Sequence, residues 1–161
     1  MLLMIAAIVS MVVVINAVLP SVQRTSSDII AASDVVGTRL RSDVKVIEAA
    51  GVDGNDVVQI WAKNVGAANI PQIEKLDVFF GPVANYERIG YDDTTDCVTP
   101  PVPPRPSPCW QHQIENDTEW APYATVRLSL YLDYNLASGT EYVVTIVLPN
   151  GITATKTFSI S

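Results

Sequence analysis

Two periodicities divide the chain. Residues 1–19 carry no charge and no proline, and Ser10 and Asn16 are their only polar members. As a helix this run is about 28 Å long, near the thickness of a bilayer hydrocarbon core. Pro20 follows, where the missing N–H and the ring predict a kink or a local break. From Ser21 to Arg41 a helical stripe returns. Val22, Ile29, Val36 and Leu40 recur at sevens and fours with Ile30 and Val35 beside them, and Gln23, Ser27, Asp28, Asp34, Arg39 and Arg41 take the other face. Residues 1–42 therefore read as a two-part rod, apolar all round and then amphipathic, jointed at Pro20. Its first part requires burial in lipid or among like rods. Met1, Leu2, Leu3, Ile5, Ile8, Val12, Val13, Ile15 and Leu19 supply the apolar surface, and Ala6, Ala7, Ser10 and Ala17 permit close approach.

From Ser42 the period shortens toward two. Val44 and Val46 alternate with Lys45 and Ile47. Val58, Ile60 and Ala62 share a face within 57–65, and Leu76, Val78 and Phe80 share another. In 124–133, Val126, Leu128, Leu130 and Leu132 point one way and Arg127, Ser129, Tyr131 and Asp133 the other. A Val/Ile-rich run, 141–148, precedes Asn150-Gly151, a type I′ hairpin signal, and the last run is 152–160. Strands separated by turn signals, with no helical pattern between them, predict an antiparallel sandwich over residues 43–161. Between Gly81 and Pro122 the alternation fades, and an exposed insertion is expected there. Trp61 and Trp120 read as core or edge anchors.

That insertion holds both cysteines. Cys97 and Cys109 flank a proline-dense segment, CVTPPVPPRPSPC. A bridge closing so short a loop contributes about 3 kcal/mol in the chain-entropy picture and implies an oxidising, extracytoplasmic compartment. Two unpaired thiols or half of a metal site are the other readings of the pair.

Net charge is -7 with 10 basic and 17 acidic residues, which disfavours nucleic acid or an anionic membrane surface as partner. A secretory signal would show a basic start and a small-residue cleavage site; here the first charge is Arg24 and no A-x-A follows the apolar run. The expectation is a mature chain from which a basic leader has been removed.

Catalytic chemistry is not visible. His112 is the single histidine, beside Trp110 in an expected loop and without a partner in a motif, and no nucleophile elbow, phosphate loop or H-E-x-x-H motif occurs. No enzymatic role, cofactor or metal is expected. Asp53, Asn55 and Asp56 crowd one turn and Asp92, Asp93 and Asp96 another; such oxygens can hold Ca²⁺, but turn geometry alone accounts for them. Asn116-Asp117-Thr118 matches the N-glycosylation sequon.

The apolar N-terminal run, KNVG (Lys63 to Gly66), DVFFGP (Asp77 to Pro82), IENDTEW (Ile114 to Trp120) and VLPNG (Val147 to Gly151) resemble the archaellins, and most closely the archaellum protein G group of class III signal peptide proteins. Ile5 stands where type IV pilins usually carry glutamate, which favours the archaellum side. The resemblance implies an α+β chain: a long hydrophobic N-terminal helix, then an antiparallel immunoglobulin-like β-sandwich. It implies a precursor trimmed by a dedicated peptidase, held in the membrane before assembly. The function expected is that of a structural subunit of an archaellum filament, an extracellular helical homopolymer served by motor and platform proteins. The alternatives are a minor membrane-anchored stator protein and an adhesive pilus-like subunit.

Overall fold

Alternate burial marks the strands, most regularly at 57–64, 125–131 and 141–147. In the computed structural model the described residues are 39–99 and 107–160, preceded by Met4, Met11, Ser33, Val36 and Gly37. The chain divides into two units, Met1–Thr38 and Arg39–Ser161. In the first unit each described residue is helical. The expected long helix, its joint at Pro20 and its polymerising side chains from Met1 to Leu19 otherwise fall outside the described residues. Among the described residues no helix is long and apolar enough to cross a membrane.

The described residues of the second unit form eight strands: β1 (Val44–Gly51), β2 (Val57–Asn64), β3 (Asp77–Pro82), β4 (Glu87–Tyr91), β5 (Cys109–Glu115), β6 (Thr125–Tyr131), β7 (Glu141–Val147) and β8 (Thr153–Ser159). They join in the order β1-β2-β6-β5-β4-β3-β7-β8. Val58, Ile60 and Ala62 on β2 and Val126, Leu128 and Leu130 on β6 are fully buried, as are Val78 on β3 and Val144 and Ile146 on β7. Each such side chain removed from water stabilises by about 1.5–3 kcal/mol. Phe80 stacks on Tyr142 at 5.6 Å, tying β3 to β7 within the same core.

β4 makes the sandwich possible. Its first half, Glu87 to Ile89, pairs antiparallel with β3. Its second half, Gly90 and Tyr91, pairs parallel with Cys109 and Trp110 of β5. The strand thus leaves one sheet and enters the other between Ile89 and Gly90, forming a corner of the kind expected where sheets share a strand. At the opposite side the outer strands β1 and β8 meet. A register shift between Val46 and Glu48 turns Ile47 outward, and Lys156 Nζ of β8 donates to the Ile47 carbonyl at 2.7 Å.

Three expectations are corrected. The stretch 81–122 is not a featureless insertion, because it holds β4, a helical turn Thr95–Val98 and β5. β5 sits inside the sheet between β4 and β6. Its Gln111, His112 and Gln113 hide the alternation; ladder partners on both sides, not apolar period, make it a strand. The sandwich is not wholly antiparallel: the crossover from Asp92 to Pro108 returns the chain in the same direction, so β4 and β5 run parallel. The β7–β8 turn is not type I′. Only Gly151 has positive φ (82°), the Gly151 amide bonds the Leu148 carbonyl at 2.8 Å, and Pro149 is locked at the negative φ of an ordinary turn's second position.

Candidate functional site

The most densely bonded polar structure lies where the last helical residues, Arg39 to Arg41, pass into β1. Alternation along β2 puts Asn64 on the buried face, after Val58, Ile60 and Ala62, and its side chain is wholly enclosed. A buried amide must find partners or cost stability. Asn64 Nδ2 donates to the carbonyls of Ala68 (2.8 Å) and Trp120 (3.0 Å), and its Oδ1 accepts the Gly66 amide at 3.0 Å. Its backbone N–H donates to the Ala124 carbonyl and its carbonyl accepts the Tyr123 amide. One residue thereby binds the loop after β2 to the segment before β6.

The held loop grips the incoming chain. The amides of Ala67 and Ala68 donate to the Arg41 carbonyl at 2.7 and 3.2 Å, and those of Val65 and Gly66 to the Asp43 carbonyl at 3.0 and 3.1 Å. The last carbonyls of a helix have no intrahelical partner; here the loop supplies one for Arg41. A Cβ on Gly66 would lie 2.5 Å from both the Arg41 oxygen and the Asp43 nitrogen, so only glycine permits this approach. Sequence reading noted KNVG only as a point of resemblance. A polar residue at a buried position of an otherwise apolar alternation was the signal available for its structural role.

The second feature is the closed loop. Cys97, buried in the helical turn, is disulfide-bonded to Cys109 at the start of β5, with Cα atoms 5.9 Å apart; neither thiol is free. Beyond Cys109, Trp110 is buried and meets Tyr91 edge-on at 4.9 Å, while His112 tilts against Tyr91 at 5.7 Å. Burial lowers the His112 pKa, opposed by the nearby Glu74 carboxylate. His112 Nδ1 and the indole nitrogens of Trp110 and Trp120 are buried with no hydrogen-bond partner.

Asn116 lies just past β5 in an exposed bend, with φ of 58°. The acidic turns are spent on backbone: Asp92 Oδ1 accepts the Thr94 amide, which holds its pKa low, and Asp53 Oδ1 accepts the Ser138 amide at 2.7 Å. Among the described residues no group of three or more His, Cys, Asp or Glu is placed to hold a metal ion. The described polar groups near these features serve the backbone: the loop after β2 binds Arg41 and Asp43, and the Cys97–Cys109 bridge closes the loop before β5.

A family model described as archaeal-type flagellin matches residues 1–158. A protein of Archaeoglobus fulgidus is 26% identical over 165 residues, spanning 98% of this chain and 93% of its own. The archaellum periplasmic stator protein FlaG from Sulfolobus acidocaldarius is similar in structure, with a TM-score of 0.58 and 26% identity over 73% of this chain and 99% of that one. A chain of the archaellum periplasmic stator protein complex FlaF and FlaG from the same organism gives 0.57 at 24% identity, over 71% and 87%. The archaeal flagellin FlaB1 from Methanocaldococcus jannaschii shares the fold, with a TM-score of 0.54 at 13% identity over 74% and 90%.

Proposed function

The chain belongs to the archaeal-type flagellin family, and from that premise we propose that it is a structural subunit of an archaellum filament, polymerising through residues 1–42. The observation that carries this reading is the extent of the family match: it runs from residue 1 to 158 and so takes in the apolar run as well as the sandwich. Before assembly that run occupies the membrane. On assembly it joins a bundle of like helices, where lipid and helix are equally apolar and the gain comes from packing at Ala6, Ala7, Ser10 and Ala17. The heads form the outer wall. A motor at the base supplies torque; the subunit performs no catalysis. The exposed sequon at Asn116 is placed to carry a glycan on that wall.

The likeness to FlaG, at 26% identity, supports a second reading: a minor stator component with a FlaF-like partner. The two differ in abundance and in self-assembly. Filaments sheared from cells are to be purified and their subunits identified by mass spectrometry. The filament reading expects this chain as a major component of the polymer. Its absence from filaments, with recovery in the membrane fraction, would establish the stator reading instead.

A further inference from the structure

A shallow cleft of about 640 Å³ lies where β2, the end of β5 and the start of β6 come together. Asn116 is part of its wall, with Glu115 and Asp117 beside it, and Trp61 and Tyr123 give it aromatic surface. Trp61 stands at an outward position of β2, between the buried Ile60 and Ala62. Thr118 lines a different cleft, the one that holds Ile73 and His112. The sequon asparagine and the two aromatic rings therefore share one cleft, and the sequon threonine lies outside it.

Tyr123 is the member that folding does not explain. The Ala124 amide donates to the Ala121 carbonyl at 3.0 Å, closing a turn with Pro122 in second place and Tyr123 in third. Tyr123 has φ of 70°, which a type II turn demands of its third residue and which glycine normally supplies. A tyrosine held there is strained, and such strain persists only where its surroundings impose it. Here the Tyr123 amide donates to the Asn64 carbonyl at 2.8 Å, and the Asn64 amide to the Ala124 carbonyl at 3.0 Å. Tyr123 is also 75% exposed, so burial within the head does not offset the strain. Stability alone would place glycine here; the tyrosine instead gives the cleft an aromatic wall.

We propose that this cleft seats the proximal sugars of a glycan attached to Asn116, neutral pyranose rings laid against Trp61 and Tyr123. The C–H face of a pyranose suits an aromatic face, and its hydroxyls donate to the carboxylates of Glu115 and Asp117. The same carboxylates disfavour a sulfated or uronic sugar at that place. Attachment is the work of a membrane transferase acting on a lipid-linked sugar. Asn116 Nδ2 forms the bond to the anomeric carbon and loses one proton, while the C–O bond to the lipid phosphate breaks and the phosphate leaves with the electron pair. A sugar tethered to the wall meets the rings at high effective concentration, so a shallow cleft is enough to hold it. The inference rests on the reading of Asn116 as a glycan acceptor and is independent of the filament reading.

The test compares the full-length chain, purified from its native host, with Thr118→Ala, Tyr123→Gly and the two combined. Thr118→Ala abolishes the sequon without touching the wall of the Asn116 cleft. Mass spectrometry of the peptide that holds Asn116 is expected to show a glycan with neutral proximal sugars on the wild-type and Tyr123→Gly chains and none on the others. Urea unfolding of the four chains closes a double-mutant cycle. Tyr123→Gly is expected to weaken the folding equilibrium about fivefold more with the glycan than without it. Acrylamide quenching of tryptophan fluorescence gives a second readout, since Trp110 and Trp120 are buried and the quencher reaches Trp61. Quenching is expected to rise when the glycan is lost. An unmodified Asn116 in the wild-type chain would overturn the acceptor reading and the seating together. A glycan at Asn116 with an additive cycle, with quenching unchanged by its loss, or with a charged sugar at the linkage would overturn the seating alone.

Discussion

The amide of Ala67 donates to the carbonyl of Arg41 at 2.7 Å, so the loop after β2 closes the end of the helical segment that precedes β1. Gly66 sets how close the two can come. Replacing Gly66 with alanine drives a methyl into the backbone at Arg41 and Asp43. The expected cost is about 3 kcal/mol, read as a lowered denaturation midpoint. Hydrogen exchange at the Ala67 and Ala68 amides should accelerate more than in the centre of β6.

Asn64 gives a sharper test because its partners differ in sign. Alanine there leaves the Ala68 carbonyl without its donor and opens a small void, costing about 2–3 kcal/mol. Aspartate is nearly the same size but turns an acceptor toward two carbonyls that now receive N–H bonds. Asn64→Asp is therefore expected to be less stable than Asn64→Ala, measured by equilibrium unfolding. The reverse order would refute the assigned bonding.

Removing the Cys97–Cys109 bridge is expected to cost about 2 kcal/mol, below the usual value for a loop of this size. The reason lies in the unfolded chain: the prolines already restrict it, so the cross-link removes less freedom. Thermal melts of the Cys97→Ser/Cys109→Ser pair measure this.

His112 should make the head acid-sensitive in one window. Burial lowers its folded pKa, so below its ordinary value of about 6.5 the unfolded chain takes up the proton more readily. Its contribution to stability is complete above that pH and declines as pH falls through it toward the lower folded value. Urea midpoints measured from pH 8 down to pH 5 should fall over this range, and His112→Gln should flatten that part of the curve.

Strands β2, β3 and β6 were legible from alternation because one face of each is buried and the other is less so, β6 with Val126, Leu128 and Leu130 enclosed being the plainest, while β7 and β8 were legible as an apolar run and the run after a turn signal. β4 and β5 were not. A strand of five residues with only Ile89 buried, and one whose middle reads Gln-His-Gln, take their form from neighbours remote in sequence. The hairpin signal at Asn150-Gly151 located a turn but missed its type, because Pro149 had already set the backbone. The junction was half legible: alternation put Asn64 inside, but its carbonyl partners belong to loops that no local pattern aligns.

The meeting of β1 and β8 bears on how heads associate. Lys156 occupies the carbonyl that the outturned Ile47 would otherwise present along that border. A neighbouring head is thus offered side chains rather than a vacant hydrogen-bond ladder. In the filament proposed above, heads that meet along such a border would contact one another without fusing their sheets, the step that leads exposed strands to amyloid.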